Sequence, residues 1–232
     1  PLYPPGENIW ALLKDSRGQL WVGRERHGLS RLASGAKHFV HYRHNADAPQ
    51  TITNDYVLNI TESPDGRIWV ATQTGLNIWQ PATDDFRRIT QVGDIALADI
   101  SIKSLHFSDE NTLWIATQSH GLLRWHITSN QVMTIDQAHG LPSNSVASVL
   151  SDNDGNIWAS TLAGLTRIDP NQLTITALLT EHNGLAGHAS NRNALHLSGS
   201  GELWLGATGG LTRFNPHKLQ LPTTSPQIEL TH

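Results

Sequence analysis

The sequence predicts an all-β fold that repeats one unit of short antiparallel strands, because three features recur along its 232 residues. Tryptophans in apolar runs such as GQLWVG and GNIWAS lie 44 to 48 residues apart. A Gly-Leu phrase such as GLSRL or GLTRF follows each of them by six or seven residues. Tight-turn signals separate the runs. A period of this length is typical of one supersecondary unit copied in series. The five repeat tryptophans are Trp21, Trp69, Trp114, Trp158 and Trp204.

The copy between Ser143 and about Leu185 shows the unit most clearly. SNSVASVLSD predicts a first strand, DNDG at 152–155 a tight turn, and NIWAST a second strand. LTRID and LTITALLT, rich in the β-branched residues that strands favour, predict the third and fourth strands. Four antiparallel strands in one repeat predict a blade of a β-propeller. Five blades are visible, and they form either a small closed ring or part of a larger ring.

The strand that carries each repeat tryptophan is apolar on both sides of its pleat. In the first copy, Leu20 and Val22 point to one side and Trp21 to the other. A strand with one solvated face would alternate apolar and polar residues, so two buried faces indicate a blade packed between neighbours. We therefore expect the repeat tryptophans to fill the gaps between blades, and Trp10, Trp79 and Trp125 to be core residues too. An arginine that recurs shortly after the Gly-Leu phrase is expected to stack or hydrogen-bond between blades. Its copies are Arg31, Arg124, Arg167 and Arg213.

Composition narrows the functional classes. The net charge is −4 with only 16 Lys and Arg residues, so nothing predicts a nucleic-acid surface. No run reaches the length of a membrane span, and no signal peptide is visible. The absence of cysteine excludes disulfides and zinc–thiolate sites. Because the chain begins at Pro1, we interpret it as a piece of a longer protein. We predict a propeller segment over residues 1–221, then a Pro/Thr-rich linker and the start of another module over 222–232.

The copies DGNIWASTLAGLTRIDP and GELWLGATGGLTRFNP, and the phrase AHGLPSNSV, resemble the two-component-regulator propeller repeat. The resemblance extends over about residues 8 to 232, and its last part resembles the junction with an immunoglobulin-like module. It implies a seven-bladed ring in the periplasmic part of a bacterial transmembrane sensor. It also implies an oligosaccharide ligand, no cofactor, a homodimeric full-length receptor, and a histidine kinase or diguanylate cyclase output. The third copy departs from the pattern, with Glu110-Asn111 in place of Asp-Gly.

Binding residues are expected on one face of the propeller, which we call the upper face. The turns between second and third strands share this face with the connections between blades, and such loops usually carry binding groups. Their guanidinium, amide and imidazole groups suit sugar hydroxyls, and arginine suits a uronate or sulfate. For each one, a turn-capping or solvated loop residue is the alternative. The candidates are Arg24, Arg26, His27, Gln118, His120, Asn144, Arg192 and Asn193.

Other functions have weaker support in the sequence. The 13 histidines show no spacing typical of a metal site, so we predict no metal. A polysaccharide lyase or glycosidase remains an alternative, although a glycosidase needs two carboxylates on its active face. Most aspartates lie in turns of the opposite, lower face, and Glu25, Asp55 and Asp99 on the upper face show no evident pairing. We therefore predict no catalytic residues. A protein–protein interaction scaffold is the third alternative.

Overall fold

The structure is a computed structural model that describes residues 8–187 and 190–219. It confirms the all-β propeller prediction: apart from one two-stranded hairpin, the described strands form five antiparallel blade sheets, each made from consecutive strands of the chain. Four sheets have four strands, and the fifth has three within the described residues. The predicted linker and immunoglobulin-like module at 222–232 lie outside these residues. None of the described helices has the length and apolar character needed to cross a membrane.

Each blade begins with an inner strand next to the propeller axis, and successive inner strands lie side by side. The inner strands are β1 (Ile9–Lys14), β5 (Val57–Glu62), β11 (Ile102–Phe107), β15 (Val146–Ser151) and β19 (Ser190–Leu197). The second strands, which carry the repeat tryptophans, are β2 (Leu20–Arg24), β6 (Ile68–Thr72), β12 (Thr112–Thr117), β16 (Ile157–Thr161) and β20 (Leu203–Ala207). The third strands are β3 (Leu29–Leu32), β7 (Gly75–Gln80), β13 (Leu122–His126), β17 (Gly164–Ile168) and β21 (Gly210–Phe214).

The outer strands complete the first four blades, and short elements connect them. The outer strands are β4 (Val40–Tyr42), β8 (Asp85–Ile89), β14 (Gln131–Ile135) and β18 (Ile175–Leu179). A small hairpin of β9 (Gln91–Val92) and β10 (Ile95–Ala96) joins the second blade to the third. The 3₁₀ helices are η1 (Gln137–His139), η2 (Glu181–Asn183) and η3 (Pro216–Lys218).

Four hydrophobic clusters fill the spaces between consecutive blades. Each contains one repeat tryptophan: Trp21, Trp69, Trp114 and Trp158 are at most 1% exposed. Within the described residues no such cluster joins the fifth blade to the first. The expectation that every tryptophan is a core residue is therefore wrong at two positions, because Trp204 and Trp10 on the end blades are only half-buried. Trp79 and Trp125 are buried as expected.

Turns on the lower face both shape the hairpins and hold the tryptophans. Asp15 accepts hydrogen bonds from the backbone N–H of Gln19 at 2.8 Å and from the indole N–H of Trp21 at 2.9 Å. Asp152 does the same for Asn156 and Trp158, at 2.9 Å and 2.8 Å. Because a buried indole N–H needs an acceptor, this turn carboxylate satisfies the largest side chain of the interface. The prediction that these aspartates make turns is confirmed.

The recurring arginine joins adjacent blades at two of its four positions. Arg31 donates to Asp84 of the second blade at 3.0 Å, and its guanidinium lies 4.7 Å from the Trp79 ring centroid. Arg124 donates to the carbonyl of Pro170 in the fourth blade at 3.0 Å. The scaffold role is confirmed for these two. Arg167 instead bonds Thr176 within its own blade.

Candidate functional site at the channel mouth

Every inner strand breaks register with its neighbour near its first residues, at the upper face. In β1 the break lies between Ile9 and Ala11, and in β11 between Ile102 and Ser104. A bulge inserts an unpaired residue and re-aims its side chain. The residue inside the break is Trp10 in β1 and Lys103 in β11, whereas β19 holds four residues, 191–194, inside its break. We call the surface at this end of the inner strands the channel mouth. Its members, at least one from each blade, are Trp10, Arg26, Tyr56, Lys103, Ser145, Arg192 and Asn193.

Asn193 ties the bulge of the fifth blade to the first two blades. Its side-chain N–H group donates to the carbonyl of Leu58 at 2.7 Å and to that of Trp10 at 3.5 Å. Its side-chain oxygen accepts from Asn59 at 2.9 Å. The residue has φ of 54°, in the left-handed region that asparagine tolerates better than most residues. Asn193 therefore holds the bulge across the propeller axis, which fixes the neighbouring Arg192 over the channel mouth.

Two aromatic rings with two arginines form one side of the mouth. The rings of Trp10 and Tyr56 lie 5.9 Å apart between centroids at 45° to each other. The Arg192 guanidinium lies 4.3 Å from the Trp10 ring centroid, a cation–π distance. Arg26 donates to the Tyr56 hydroxyl, and 71% of its side chain remains exposed. Both rings are half-buried, so each presents part of its surface to solvent.

Lys103 contributes a third positive charge at the mouth. Its ammonium group donates to the Ser145 hydroxyl at 3.4 Å. Partial burial, and then the nearby Arg192 guanidinium, lower the pKa of Lys103. Burial disfavours the charged form of an amine, and so does a neighbouring like charge. The two cations therefore lie close enough to repel each other.

Carboxylates near the mouth have partners of their own. Glu25 accepts from Asn8 at 2.6 Å and lies 3.9 Å from Arg26. Asp55 forms an ion pair with Arg43 at 2.8 Å, on the side of the outer strand. Over residues 8–187 and 190–219, neither Lys103 nor Arg192 forms an ion pair. The mouth thus combines exposed aromatic surface with an excess of positive charge.

A cavity of about 270 Å³ lies beside the mouth. Trp10 and Leu12 of β1, Asn59 and Ile60 of β5, and Asn193 line it. Its lining therefore comes from the inner strands of the first, second and fifth blades. Its volume is near the lower end of ligand pockets, which suits a single sugar-sized group.

Of the eight residues predicted for binding, Arg26, Arg192 and Asn193 lie together at the mouth. Arg24 does not: it is fully buried. Its guanidinium donates to the carbonyl of His27 at 2.9 Å and to the Ser30 hydroxyl at 2.7 Å. Arg24 therefore holds the turn between β2 and β3, and its burial argues against direct ligand contact. His27 closes the same turn, with its Nδ1 atom 2.8 Å from the carbonyl of Glu25.

The other three predicted residues lie away from the mouth. Gln118 and His120 are exposed in the turn between β12 and β13, where the His120 backbone N–H donates to Thr117. Asn144 accepts from the backbone of Gln137 at 2.8 Å through its side chain and from Gly121 at 2.9 Å through its carbonyl. Asn144 thus makes a connection between blades, which is the turn-capping alternative. In the described part of the chain, no hydrogen bond or ring contact joins these three to Arg26 or Arg192.

Sequence reasoning missed Trp10, Tyr56, Lys103 and Ser145. Trp10 was placed with the core tryptophans because it lies in a strand. A signal was nevertheless present: the copies differ most at the start of the inner strand, where Trp10 in one copy aligns with Lys103 in another. In a repeat protein, positions that differ between copies at one shared place in the fold are the better candidates for binding.

The carboxylates and possible metal ligands of the described residues bear on the catalytic alternatives. Glu25 and Asp55 are engaged in the bonds given above, and the aspartates of the hairpin turns are on the lower face. Across the described residues, no group of three or more His, Cys, Asp or Glu side chains is placed to hold a metal ion. What the channel mouth can do is bind, by stacking a ring and by pairing with negative charge.

A family model, the two component regulator propeller, matches residues 3–23, 51–74 and 140–163. A curated relative, histidine kinase P4 from Formosa agariphila, is 24% identical over 191 residues. The match covers 81% of this chain and 14% of the relative, so the chain spans about one seventh of that protein's length. These matches confirm the resemblance inferred from the recurring motifs.

Solved structures show the same fold. The extracellular domain of the putative one component system BT4673 from B. thetaiotaomicron superimposes with a TM-score of 0.76 at 22% identity, covering 90% of this chain and 30% of that one. The extracellular domain of the putative hybrid two component system BT3049 from the same organism gives 0.74 at 20% identity, covering 90% and 27%. Virginiamycin B lyase from Staphylococcus aureus is less similar, with 0.65 at 13% identity over 90% of this chain and 70% of the lyase.

Proposed function

We propose that this chain, built from two-component regulator propeller repeats, is the periplasmic ligand-sensing part of a bacterial transmembrane signalling receptor. The extracellular location of the structural neighbours supports the compartment. The channel mouth carries the proposal, because all five blades contribute to it and because its half-buried Trp10 and Tyr56 rings suit the apolar face of a sugar. We take an oligosaccharide as the ligand.

Signalling would follow from linkage. A ligand that prefers one arrangement of two receptor subunits shifts the population toward that arrangement. A set of packed blades suits such a role because it moves as one body. In this proposal the chain has no activity of its own, and the full-length homodimer passes the shift to a kinase or cyclase.

The first test is a thermal-shift screen of the purified chain against neutral and acidic oligosaccharides, with mass spectrometry of each mixture. Binding raises the unfolding temperature with increasing ligand concentration, and an intact ligand is the expected result. Cleavage would instead establish the lyase or glycosidase alternative. No stabilisation by any glycan would contradict the proposal and favour the interaction scaffold.

A pair of aromatic variants locates the site. Trp10→Ala removes the ring that faces the mouth, so we expect roughly tenfold weaker binding of any oligosaccharide found in the screen. Phe39→Ala is the matched control, because Phe39 is also half-buried but stacks on His41 near the outer strand of the same blade. Equal loss of binding in both variants would exclude the mouth as the site.

A further inference from the structure

The positive charges of the channel mouth identify the class of sugar. Lys103 lies in the bulge of the third blade's inner strand and Arg192 in that of the fifth, and these two strands, β11 and β19, contact each other. Asn59 joins them, since it donates to Asn193 at 2.9 Å and accepts from the Leu105 backbone at 3.2 Å. A chain with a net charge of −4 has placed two cations together, where like charges repel. The repulsion between the two cations costs free energy unless a negatively charged group offsets it.

Burial lowers the pKa of Arg192 and the Glu25 carboxylate acts against that shift, so the neighbouring groups neutralise this pair only in part. On the first blade, Glu25 is shared between Asn8 and Arg26, and on the second, Asp55 is paired with Arg43. Among the described residues of the fourth blade, the Ser145 hydroxyl is the group that bonds Lys103. Three cations with one nearby carboxylate, Glu25, leave an excess positive charge at the mouth.

The two cations are also held in place before any ligand arrives. Arg192 is fixed by the Asn193 contacts to Leu58 and Asn59 and by its own position over Trp10. Lys103 is held by Ser145. Preorganised donors lose less entropy on binding than mobile surface side chains do. A ring stacked on Trp10 and Tyr56 would place its substituents beside these donors.

We propose that the channel mouth binds an acidic sugar, with the carboxylate or sulfate group between Lys103 and Arg192 and the sugar ring against Trp10 and Tyr56. This inference rests on the proposed ligand-sensing function of the same surface. It specifies the ligand beyond that function, because a neutral oligosaccharide would leave both cations uncompensated. Uronates and sulfated sugars share the required chemistry, and arginine pairs well with either anion.

Calorimetric titration of the purified chain tests the inference with three probes: trigalacturonate, a sulfated carrageenan tetrasaccharide, and neutral galactotriose. We expect one or both acidic probes to bind at least roughly tenfold more tightly than galactotriose, because hydrogen bonds to charged groups are stronger than hydrogen bonds between neutral groups. Binding of trigalacturonate or of the tetrasaccharide alone assigns the anion as carboxylate or sulfate. Added salt should weaken the acidic complex, since it screens exposed charges.

Charge-removing variants complete the test. Lys103→Gln with Arg192→Gln should abolish the preference for the acidic probe and leave the unfolding temperature close to that of the wild type. Lys14→Gln is the matched control, because Lys14 is an exposed lysine at the opposite end of β1.

Three results would overturn this inference. If galactotriose bound as tightly as the acidic probes, the inference would fail and the sensing proposal would remain intact. Absence of binding by all three probes overturns the inference, whereas the broader glycan screen decides the sensing proposal. Unchanged acidic preference in the double variant would also overturn the inference.

Discussion

The fourth and fifth blades carry the same tryptophan motif in two different environments. Trp158 is fully buried, its indole N–H donates to Asp152 at 2.8 Å, and its ring meets Phe214 of the fifth blade edge-on at 5.5 Å. Trp204 occupies the same register position but is half-buried, with the Arg213 guanidinium 5.4 Å from its ring. The sequence motif forms the strand in both blades. The tryptophan becomes a core residue where the following blade packs against it.

This difference shows how the propeller is stabilised. Each blade presents one face to the preceding blade and one to the next, so the stability of a repeat array is close to a sum over blades and their interfaces. The forward face of the fifth blade, with Trp204 and the 63%-exposed Leu211, has no described blade against it. Such an apolar face is typical of a contact surface.

The largest expected effect comes from removing the buried tryptophan. Trp158→Ala deletes a ring from a filled interface, so we expect a loss of about 3–5 kcal/mol in the free energy of unfolding. Trp204→Ala should cost about 1 kcal/mol, as for many single substitutions outside a packed core. Urea denaturation followed by circular dichroism measures both values. The slope of the free energy of unfolding against urea concentration shows whether the two variants unfold in comparable transitions.

The stability of the Trp204→Ala variant shows how far the face around Trp204 is covered. A loss as large as that of Trp158→Ala would contradict the half-buried environment and indicate that its face is covered in the folded chain. A small loss would confirm that the face is free to meet another surface.

A smaller effect is expected at the residue two places after the tryptophan, which is small in all five copies: Gly23, Ala71, Ala116, Ser160 and Gly206. A Cβ atom on Gly23 would lie 2.5 Å from the Val57 side chain of the next blade. On Gly206 it would meet only Ala194 of its own blade, at 3.1 Å. We expect Gly23→Ala to cost about 1–3 kcal/mol through overpacking, and Gly206→Ala to cost less.

Val57 provides the control for this prediction. Adding Val57→Ala to Gly23→Ala should restore part of the loss, because the clash is between these two residues. A double-mutant cycle based on urea denaturation gives the coupling free energy. Strictly additive effects would show that Gly23→Ala acts on the strand itself and not on the interface.

The sequence was sufficient for the architecture because each blade depends on short-range patterns. Strand alternation, turn residues and the period of the tryptophans all act within one repeat, and they predicted the blades and the packing of Trp21, Trp69, Trp114 and Trp158. The same patterns could not show that no described blade covers Trp204, because burial of that face depends on another blade.

The channel mouth was less predictable because it depends on long-range contacts. Asn193 bonds to Asn59, 134 residues earlier in the chain, and no local motif encodes this pairing. Burial of Arg24 depends on how its turn folds back on Ser30. Arg192 lies at the upper face, where the sequence places it, whereas the position of Trp10, Tyr56 and Lys103 at the mouth requires the bulges of the inner strands to be known.

The smallest expected effect concerns a histidine pair at the same register position, opposite the repeat tryptophan. His106 faces Trp114 in the third blade, and His196 faces Trp204 in the fifth. The Nε2 atom of His106 accepts from the Ser151 backbone at 3.0 Å, and burial lowers the pKa of His106 to about 4. His196 is exposed.

The sign of the pH dependence follows from linkage. The unfolded chain binds a proton at His106 below its ordinary pKa of 6.5, while the folded chain resists protonation down to about 4. The contribution of His106 to the free energy of unfolding should therefore be fully present above pH 6.5, and it should decrease as the pH falls from 6.5 towards about 4. His106→Gln should show a smaller decrease in unfolding temperature between about pH 7 and about pH 4.5 than the wild type. His196→Gln is the control: it retains His106, so it should show the same decrease in unfolding temperature as the wild type.

If the His106→Gln variant and the wild type had the same pH dependence, His106 would become protonated in the folded blade. The interface between the third and fourth blades would then exclude water at His106 no better than the face of the fifth blade that no described blade covers.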